Sequence, residues 1–289
     1  IMGFTTCALL PGALALALVW GLGIVSNLLI LLLFAFIFDL VILRIKRRKF
    51  SDIQDTFLSS ALTVSLIGIC LPPSVNLGVL LVACFSSLGI AREAYGGLGR
   101  NVFNPAMVGY AIILIAYPEH LAIWPEAHIQ SDGLSGATLL TEFKYRNNLT
   151  MQEFNMLHLT ARESTTLISS AFLLGGLFLL SKRIITWHIP ITLFATIGLL
   201  AMWGYDNGSS QTNGSPWFHL TSGGLVAASF FVATDPVTHP LNKNHQLFFA
   251  FLIGAIVYVI RTMGSLPDGI AFAILFANCV TPILNRYHL

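Results

Sequence analysis

The stretch IVSNLLILLLFAFIFDLVILRIKRRK, residues 24–49, decides the fold. From 24 to 43 it carries one acid, Asp39, and no base, and a bilayer-crossing helix needs a run of roughly this length and apolarity, about 17 to 25 residues. Arg44, Lys46, Arg47, Arg48 and Lys49 then follow in close order. Basic residues in short loops stay on the cytoplasmic side, so this cluster places both the end of the second span and the chain's start inside.

The rest of the chain agrees with that stretch. Of 289 residues, 55% are hydrophobic and 10% charged, with a mean hydropathy of +0.78, whereas soluble domains carry about a quarter charged residues. The fold class is therefore an all-α polytopic membrane protein in the lipid bilayer. The net charge of +2 is small, and nothing points to nucleic acid as a partner. Cys7, Cys70, Cys84 and Cys279 have neither Cys-x-x-Cys spacing nor a nearby histidine, and read as small buried hydrophobes with no metal to bind. The opening Ile1-Met2, with no charged region before the first apolar run, reads as a trimmed start and not as a signal peptide.

Apolar runs near span length fall at 5–22, 24–43, 56–72, 76–94, 103–118, 166–181, 186–204, 219–234, 246–262 and 268–285, which makes about ten transmembrane helices. Counting from the basic cluster puts Arg92, Arg100, Lys182, Arg183, Lys243 and Arg286 inside, and only Lys144, Arg146, Arg162 and Arg261 outside. The long connection 119–165 is then extracytoplasmic. Residues 1–118 and 166–289 form two sets of five spans on either side of it, in one membrane domain. The third span of each set (58–74 and 220–240) breaks at Pro72-Pro73 or Asp235-Pro236, and the fifth (96–115 and 264–284) follows a polar, Gly- and Pro-bearing entry. Sets of five invert one another, so the pattern predicts two inverted repeats with broken helices meeting near the midplane. The plainer reading is that these Pro and Gly residues kink helices for packing.

Within the long connection, DGLSGAT (132–138) sets Asp132, Ser135 and Thr138 among Gly133, Gly136 and Ala137. By composition alone it is a polar turn in which Ser135 or Thr138 caps a short helix through LLTEFK. GGLGRNVFNPA (96–106) lacks the Gly-Lys-Ser/Thr ending of a phosphate loop. Gly96, Gly97, Gly99, Asn101, Asn104 and Pro105 instead read as the entry to a broken helix, with a second flavin or an electron route as what they would line. Asn104 and Asn278 are expected to make interior contacts. Asp39, Glu93, Asp235 and Asp268, near span ends, are expected to cap helices or to pair, Asp268 with Arg261. His239 and His245 read as solvated loop residues.

Taken in order, AREAYGGLGRNVFNPAMVGY (91–110), DGLSGAT, FVATDPVTHP (231–240) and LPDGIAFAILFANCVTPIL (266–284) resemble the family of membrane proteins represented by the D subunit of the Rnf electron-transport complex. More distantly they resemble the B subunit of the sodium-pumping NADH:quinone oxidoreductase. The resemblance implies a bacterial inner-membrane protein. It implies that a flavin transferase attaches FMN to the Thr138 hydroxyl through a phosphoester, with Asp132, Gly133, Ser135, Gly136 and Ala137 as the surrounding motif. It also implies partner Rnf-type subunits, membrane and peripheral, in a complex that couples ferredoxin and NAD redox chemistry to movement of Na+ or H+. Free riboflavin is the second cofactor it admits, with Asn101, Asn104, Asp235 and Asn278 as candidates for cofactor contact. The chain departs from the family at Arg92, where lysine is usual, and at Asn285, where an acid often closes the last span. The competing expectation is a channel or permease of urea-transporter-like architecture with no redox role, for which DGLSGAT has no use.

Overall fold

The computed structural model describes residues 2–47, 53–73, 75–122, 124, 138–146 and 148–286. It is helical, with no strand among those residues: α1 (Met2–Trp20), α2 (Gly23–Ile45), α3 (Ile53–Gly68), α4 (Leu77–Cys84, continuing as the π-helical turns Phe85–Glu93), α5 (Pro105–Ala116), α6 (Pro118–Ala122), α7 (Leu139–Lys144), α8 (Met151–Leu157), α9 (Leu159–Ser181), α10 (His188–Trp203), α11 (Pro216–Thr221), α12 (Leu225–Ala227, continuing as the π-helical turns Ala228–Val232), α13 (Lys243–Met263) and α14 (Ile270–Arg286). Four of these, α1, α2, α9 and α13, are long and apolar enough to cross a membrane, while α5, α10 and α14 are shorter apolar helices. The protein is a polytopic membrane protein by this measure. Large apolar side chains such as Leu18, Leu29, Ile115, Leu174 and Leu199 lie on the outside, as lipid contact requires.

The helices pack in a pattern set by small residues. Helix α1 lies along α9, α2 along α3, α10 along α13, and α5 against α14. At the first of these contacts a Cβ on Gly175 would sit 2.0 Å from the Ala8 carbonyl oxygen, and one on Gly12 would meet the Phe172 ring at 2.2 Å. Apolar helices in lipid gain little from hydrophobic association, and such close backbone approach is what holds them together.

Polar contacts divide the connections into two groups. Among the described residues, one group holds the turn after α1, the segment after α3, the described parts of the 117–158 connection, the loop after α10 and the 264–269 turn. Trp20 meets Trp124 at 5.5 Å between ring centroids, and Asn27 Nδ2 donates to the Pro72 carbonyl at 2.8 Å. Met151 N donates to Gly208 O at 2.9 Å, and Lys144 Nζ to Leu266 O at 2.8 Å. The other group holds the remaining connections: Lys46 pairs with Glu93, Thr186 Oγ1 donates to Gln246 Oε1 at 2.9 Å, and Leu241 N donates to Asn285 Oδ1 at 3.2 Å.

Several expectations need revision. The run 219–234 is not one helix: it stops at Thr221 and restarts at Leu225, with Gly223 at φ +72°, a backbone region that side chains disfavour. Helix α3 ends at Gly68, short of the expected 72, because prolines 72 and 73 lack amide donors to continue it. Cys7 and Cys279 are exposed on outward helix faces and are not buried; only Cys84 is fully enclosed. His245 is buried at 6% exposure and is not a solvated loop residue. Asp39 does pair, but at 0% exposure and not at an interface. Arg92, itself 1% exposed, donates from Nη2 to Asp39 Oδ1 at 2.9 Å, from Nη1 to Ser60 Oγ at 2.6 Å and from Nε to Glu93 Oε1 at 3.1 Å. A guanidinium presents its donors in a fixed fork, which lets Arg92 reach three acceptors from one side chain.

Gly175→Val is expected to force α1 from α9, lowering stability by about 1–3 kcal/mol through overpacking. Gly198→Val, at a position with nothing within 4 Å of the added Cβ, is expected to be tolerated. Thermal unfolding of the detergent-purified protein compares the two.

Candidate functional site

Thr138 opens α7. Its backbone is extended (φ −66°, ψ 153°), so the chain enters the helix from outside it. Its Oγ1 accepts from Thr141 N at 3.4 Å and shares a hydrogen bond with Thr141 Oγ1 at 2.8 Å. The capping expected from LLTEFK is therefore present, performed by Thr138. Asp132, Gly133, Ser135, Gly136 and Ala137 lie outside the described residues.

A six-residue helix is too short to stand by itself, so α7 owes its form to what it touches. Leu139, Leu140 and Phe143 are buried in a small cluster with Met151, Phe154 and Phe218. Phe143 lies tilted against Phe218 with ring centroids 4.4 Å apart and meets Phe154 edge-on at 5.3 Å. Helix α8, which supplies Phe154, is fixed by a capping box: Glu153 N donates to Thr150 Oγ1 at 3.3 Å and Thr150 N to Glu153 Oε2 at 2.9 Å. The Thr150 hydroxyl and amide hold the Glu153 carboxyl below its usual range.

Two cations finish the mounting. Lys144 Nζ donates to Gly264 O and Leu266 O. Arg146 donates to Phe143 O at 3.0 Å, Ser210 O at 3.1 Å and Thr212 O, with its guanidinium 4.1 Å over the Phe143 ring. Loss of solvent pushes both groups below their ordinary ranges, with Asp206 working against the shift at Arg146. Neither residue stood out as a site residue in the sequence. The available signal was that both sit on the side that the charge bias should leave bare of bases.

Beneath α7 lies the break between α11 and α12. Arg261 donates to His219 O at 2.7 Å and Ser222 O at 3.1 Å, and pairs with Asp268 at 3.2 Å as expected. Asp268 Oδ2 in turn accepts from Gly224 N at 3.3 Å.

At the opposite end, three of the four candidates for further cofactor contact meet. Asn104 caps α5, its Oδ1 accepting from Met107 N at 3.2 Å. Its own N–H donates to Asn278 Oδ1 at 3.0 Å, and its Nδ2 to Asp235 Oδ2 at 3.2 Å. Asn278 Nδ2 donates to Thr238 O at 3.2 Å, and the Thr238 hydroxyl to Asp235 Oδ2 at 3.3 Å. Asn101 stands aside, donating to Phe103 O at 3.0 Å. This knot joins the α4–α5 loop, the TDPVTHP loop and α14 across the two halves of the chain. Both loops follow π-helical turns, a form enriched at functional positions.

The sequence profile of the NQR2, RnfD, RnfE family matches residues 1–289. Similar proteins include the D subunit of the ion-translocating oxidoreductase complex of Ectopseudomonas mendocina, 36% identical over 97% of this chain and 87% of its own length. The protein of the same name from Cellvibrio japonicus is 33% identical over 99% of this chain and 88% of its own. That from Buchnera aphidicola subsp. Schizaphis graminum is 31% identical over 99% and 91%.

The polar knot makes a checkable demand. Asn278→Ala leaves the Asn104 amide and the Thr238 carbonyl without their partner, at about 1–3 kcal/mol for each buried group. Asn285→Ala removes a comparable bond at an exposed position and is expected to change little. Unfolding midpoints in detergent are expected to drop clearly for the first and only slightly for the second.

Proposed function

The chain belongs to the NQR2, RnfD, RnfE family, and from that premise we propose that it is the D-type membrane component of an Rnf-type ion-translocating oxidoreductase complex, carrying FMN covalently on Thr138. The relatives' printed names supply the complex and its ion-translocating character. The family resemblance supplies the flavin, the ferredoxin and NAD couple and the choice between Na+ and H+. The observation that carries the reading is Thr138 itself: a half-exposed hydroxyl at the head of a helix that is bolted at its other end to the membrane domain.

The residues fit the group. As a phosphoester oxygen, Thr138 Oγ1 still accepts from Thr141 N, while the Thr141 hydroxyl is free to donate to it. When bound, the flavin would supply the electron transfer. The chain's part is to hold the attachment point. Leu139, Leu140 and Phe143 bury the inner face of α7, and Lys144 and Arg146 tie its end to the 264–266 and 210–212 carbonyls. A second, free flavin at the Asn104–Asp235–Asn278 knot would have to displace hydrogen bonds these residues already make, so no step is routed through one.

In the same reading the chain spans the inner membrane ten times as two inverted repeats, with Thr138 outside the cytoplasm. The sorting of connections into two groups supports the alternation: the basic connection after α2 falls with one group, and α7 and α8 with the other. The pairing of α1 with α9 and of α5 with α14 supports the repeat, because first-with-sixth and fifth-with-tenth contacts are of the kind that form across a twofold axis. The two π-helical turns run toward the same end and lend no weight to the inversion.

Co-expression with a flavin transferase is expected to give a fluorescent band in denaturing gels for the wild type and none for Thr138→Ala. A dark wild-type band in the presence of active transferase overturns the assignment. For the sidedness, Asn207→Cys and Lys182→Cys, each in a background with the native cysteines replaced, are compared with a membrane-impermeant thiol reagent. Position 207 is expected to label in spheroplasts with the inner membrane intact, and 182 only once that membrane is opened.

A further inference from the structure

Helix α7 is a rod held at its far end. Thr138 heads it and Lys144 ends it, so attachment point and anchor stand about 9 Å apart at 1.5 Å per residue. A rod tied at one end pivots unless a second point stops it, and Leu140 provides that point. A Cβ on Gly223 would lie 2.7 Å from Leu140 Cδ1, 2.5 Å from Asp268 Oδ2 and 2.9 Å from Arg261 Nη2. The helix therefore rests directly on the break between α11 and α12. The carbonyls that Lys144 grips, Gly264 and Leu266, belong to the same turn as Asp268, which with Arg261 closes that break. Attachment arm, clamp and interrupted helix form one mechanical unit.

We propose that Lys144 is the positioning residue of the Thr138 arm: by spanning the Gly264 and Leu266 carbonyls it fixes the direction in which the attached group projects from the membrane domain. The proposal rests on the flavin reading above. An ammonium suits the task, because three rotatable donors reach two carbonyls of different direction from one compact atom. Its loss of solvent, which pushes the lysine below its ordinary range, is offset only if those bonds are made. The burial of Phe143 sets where α7 lies, while Lys144 sets its rotation over Gly223.

The test uses the full chain co-expressed with a flavin transferase, as wild type, Lys144→Met and Lys144→Arg. Three quantities are read: flavin per chain from in-gel fluorescence, the unfolding midpoint, and the time-resolved fluorescence anisotropy of the attached flavin. Lys144→Met is expected to carry wild-type amounts of flavin but to gain a fast depolarising component absent from the wild type, with the midpoint little changed. Lys144→Arg, which can still bridge two carbonyls, is expected to remove most of that component. Should Lys144→Met fail to fold, Leu140→Ala removes the second rest point and is expected to give the same fast component. Normal flavin loading with unchanged anisotropy in the variant that folds overturns the positioning role. A wild type that carries no flavin overturns the underlying reading instead, and the two failures are told apart by the first measurement.

Discussion

Everything in this structure answers to one constraint: where a helix is interrupted inside a water-poor membrane domain, the freed backbone groups must find partners within the chain. The interruptions named next are sealed by side chains from other parts of the chain. Asn27 on α2 caps the Pro72 carbonyl after α3. Asn278 on α14 takes both the Asn104 amide and the Thr238 carbonyl, closing two loops with one amide group. Arg261 on α13 covers the His219 and Ser222 carbonyls, and Asp268 takes the Gly224 amide that follows them. Ser169 on α9 adds the Thr221 carbonyl at 2.7 Å. Buried polar residues are costly in such a chain, and these are there because an unsealed break costs more.

The seals also decide where polar side chains gather. A continuous helix needs no polar neighbour, so polar side chains gather where backbone is irregular, at the two ends of the domain. At one end they make the Asn104–Asp235–Asn278 knot. At the other they make the Arg261–Asp268 closure, on which α7 and Thr138 are mounted through Leu140 and Lys144. Between the ends, the Gly12–Phe172 and Gly175–Ala8 contacts press α1 on α9, and Arg92 with Asp39 and Ser60 ties the end of α4 to α2 and α3. Thr138 is thus not part of an isolated loop but heads a helix that rests on the contacts closing a broken helix.

Much of this was legible in the sequence, for reasons that differ by residue. The apolar stretch before Arg44 revealed a span because bilayer thickness fixes helix length. Pro72-Pro73 announced a break because proline carries no amide hydrogen. Asn104 and Pro105 were readable as the entry to a helix because proline favours its first position, and Asn104 and Asn278 as interior contacts because an amide in an apolar run needs a partner; that Asn104 caps α5 came only from the structure. Thr138 was singled out by resemblance and not by chemistry, since its local pattern is that of an ordinary cap. What escaped was three-dimensional. Nothing in the sequence couples Lys144 to Gly264, 120 residues away, or sets Leu140 over Gly223. The burial of His245 was missed because a histidine in a polar stretch looks solvated until the helix containing it is packed on another. Likewise the 219–234 run reads as one helix because Ser222 and Gly223 are tolerated in membrane helices, and only the Arg261 fork shows that they end one.

The proposed flavin on Thr138 is put to its sharpest test by site-resolved mass spectrometry of the wild-type chain, isolated from a host that makes the whole complex. The peptide containing Thr138 is expected to carry one FMN joined through phosphate, with fragment ions that place the addition on the threonine. An unmodified Thr138 peptide recovered from an active, assembled complex would contradict it.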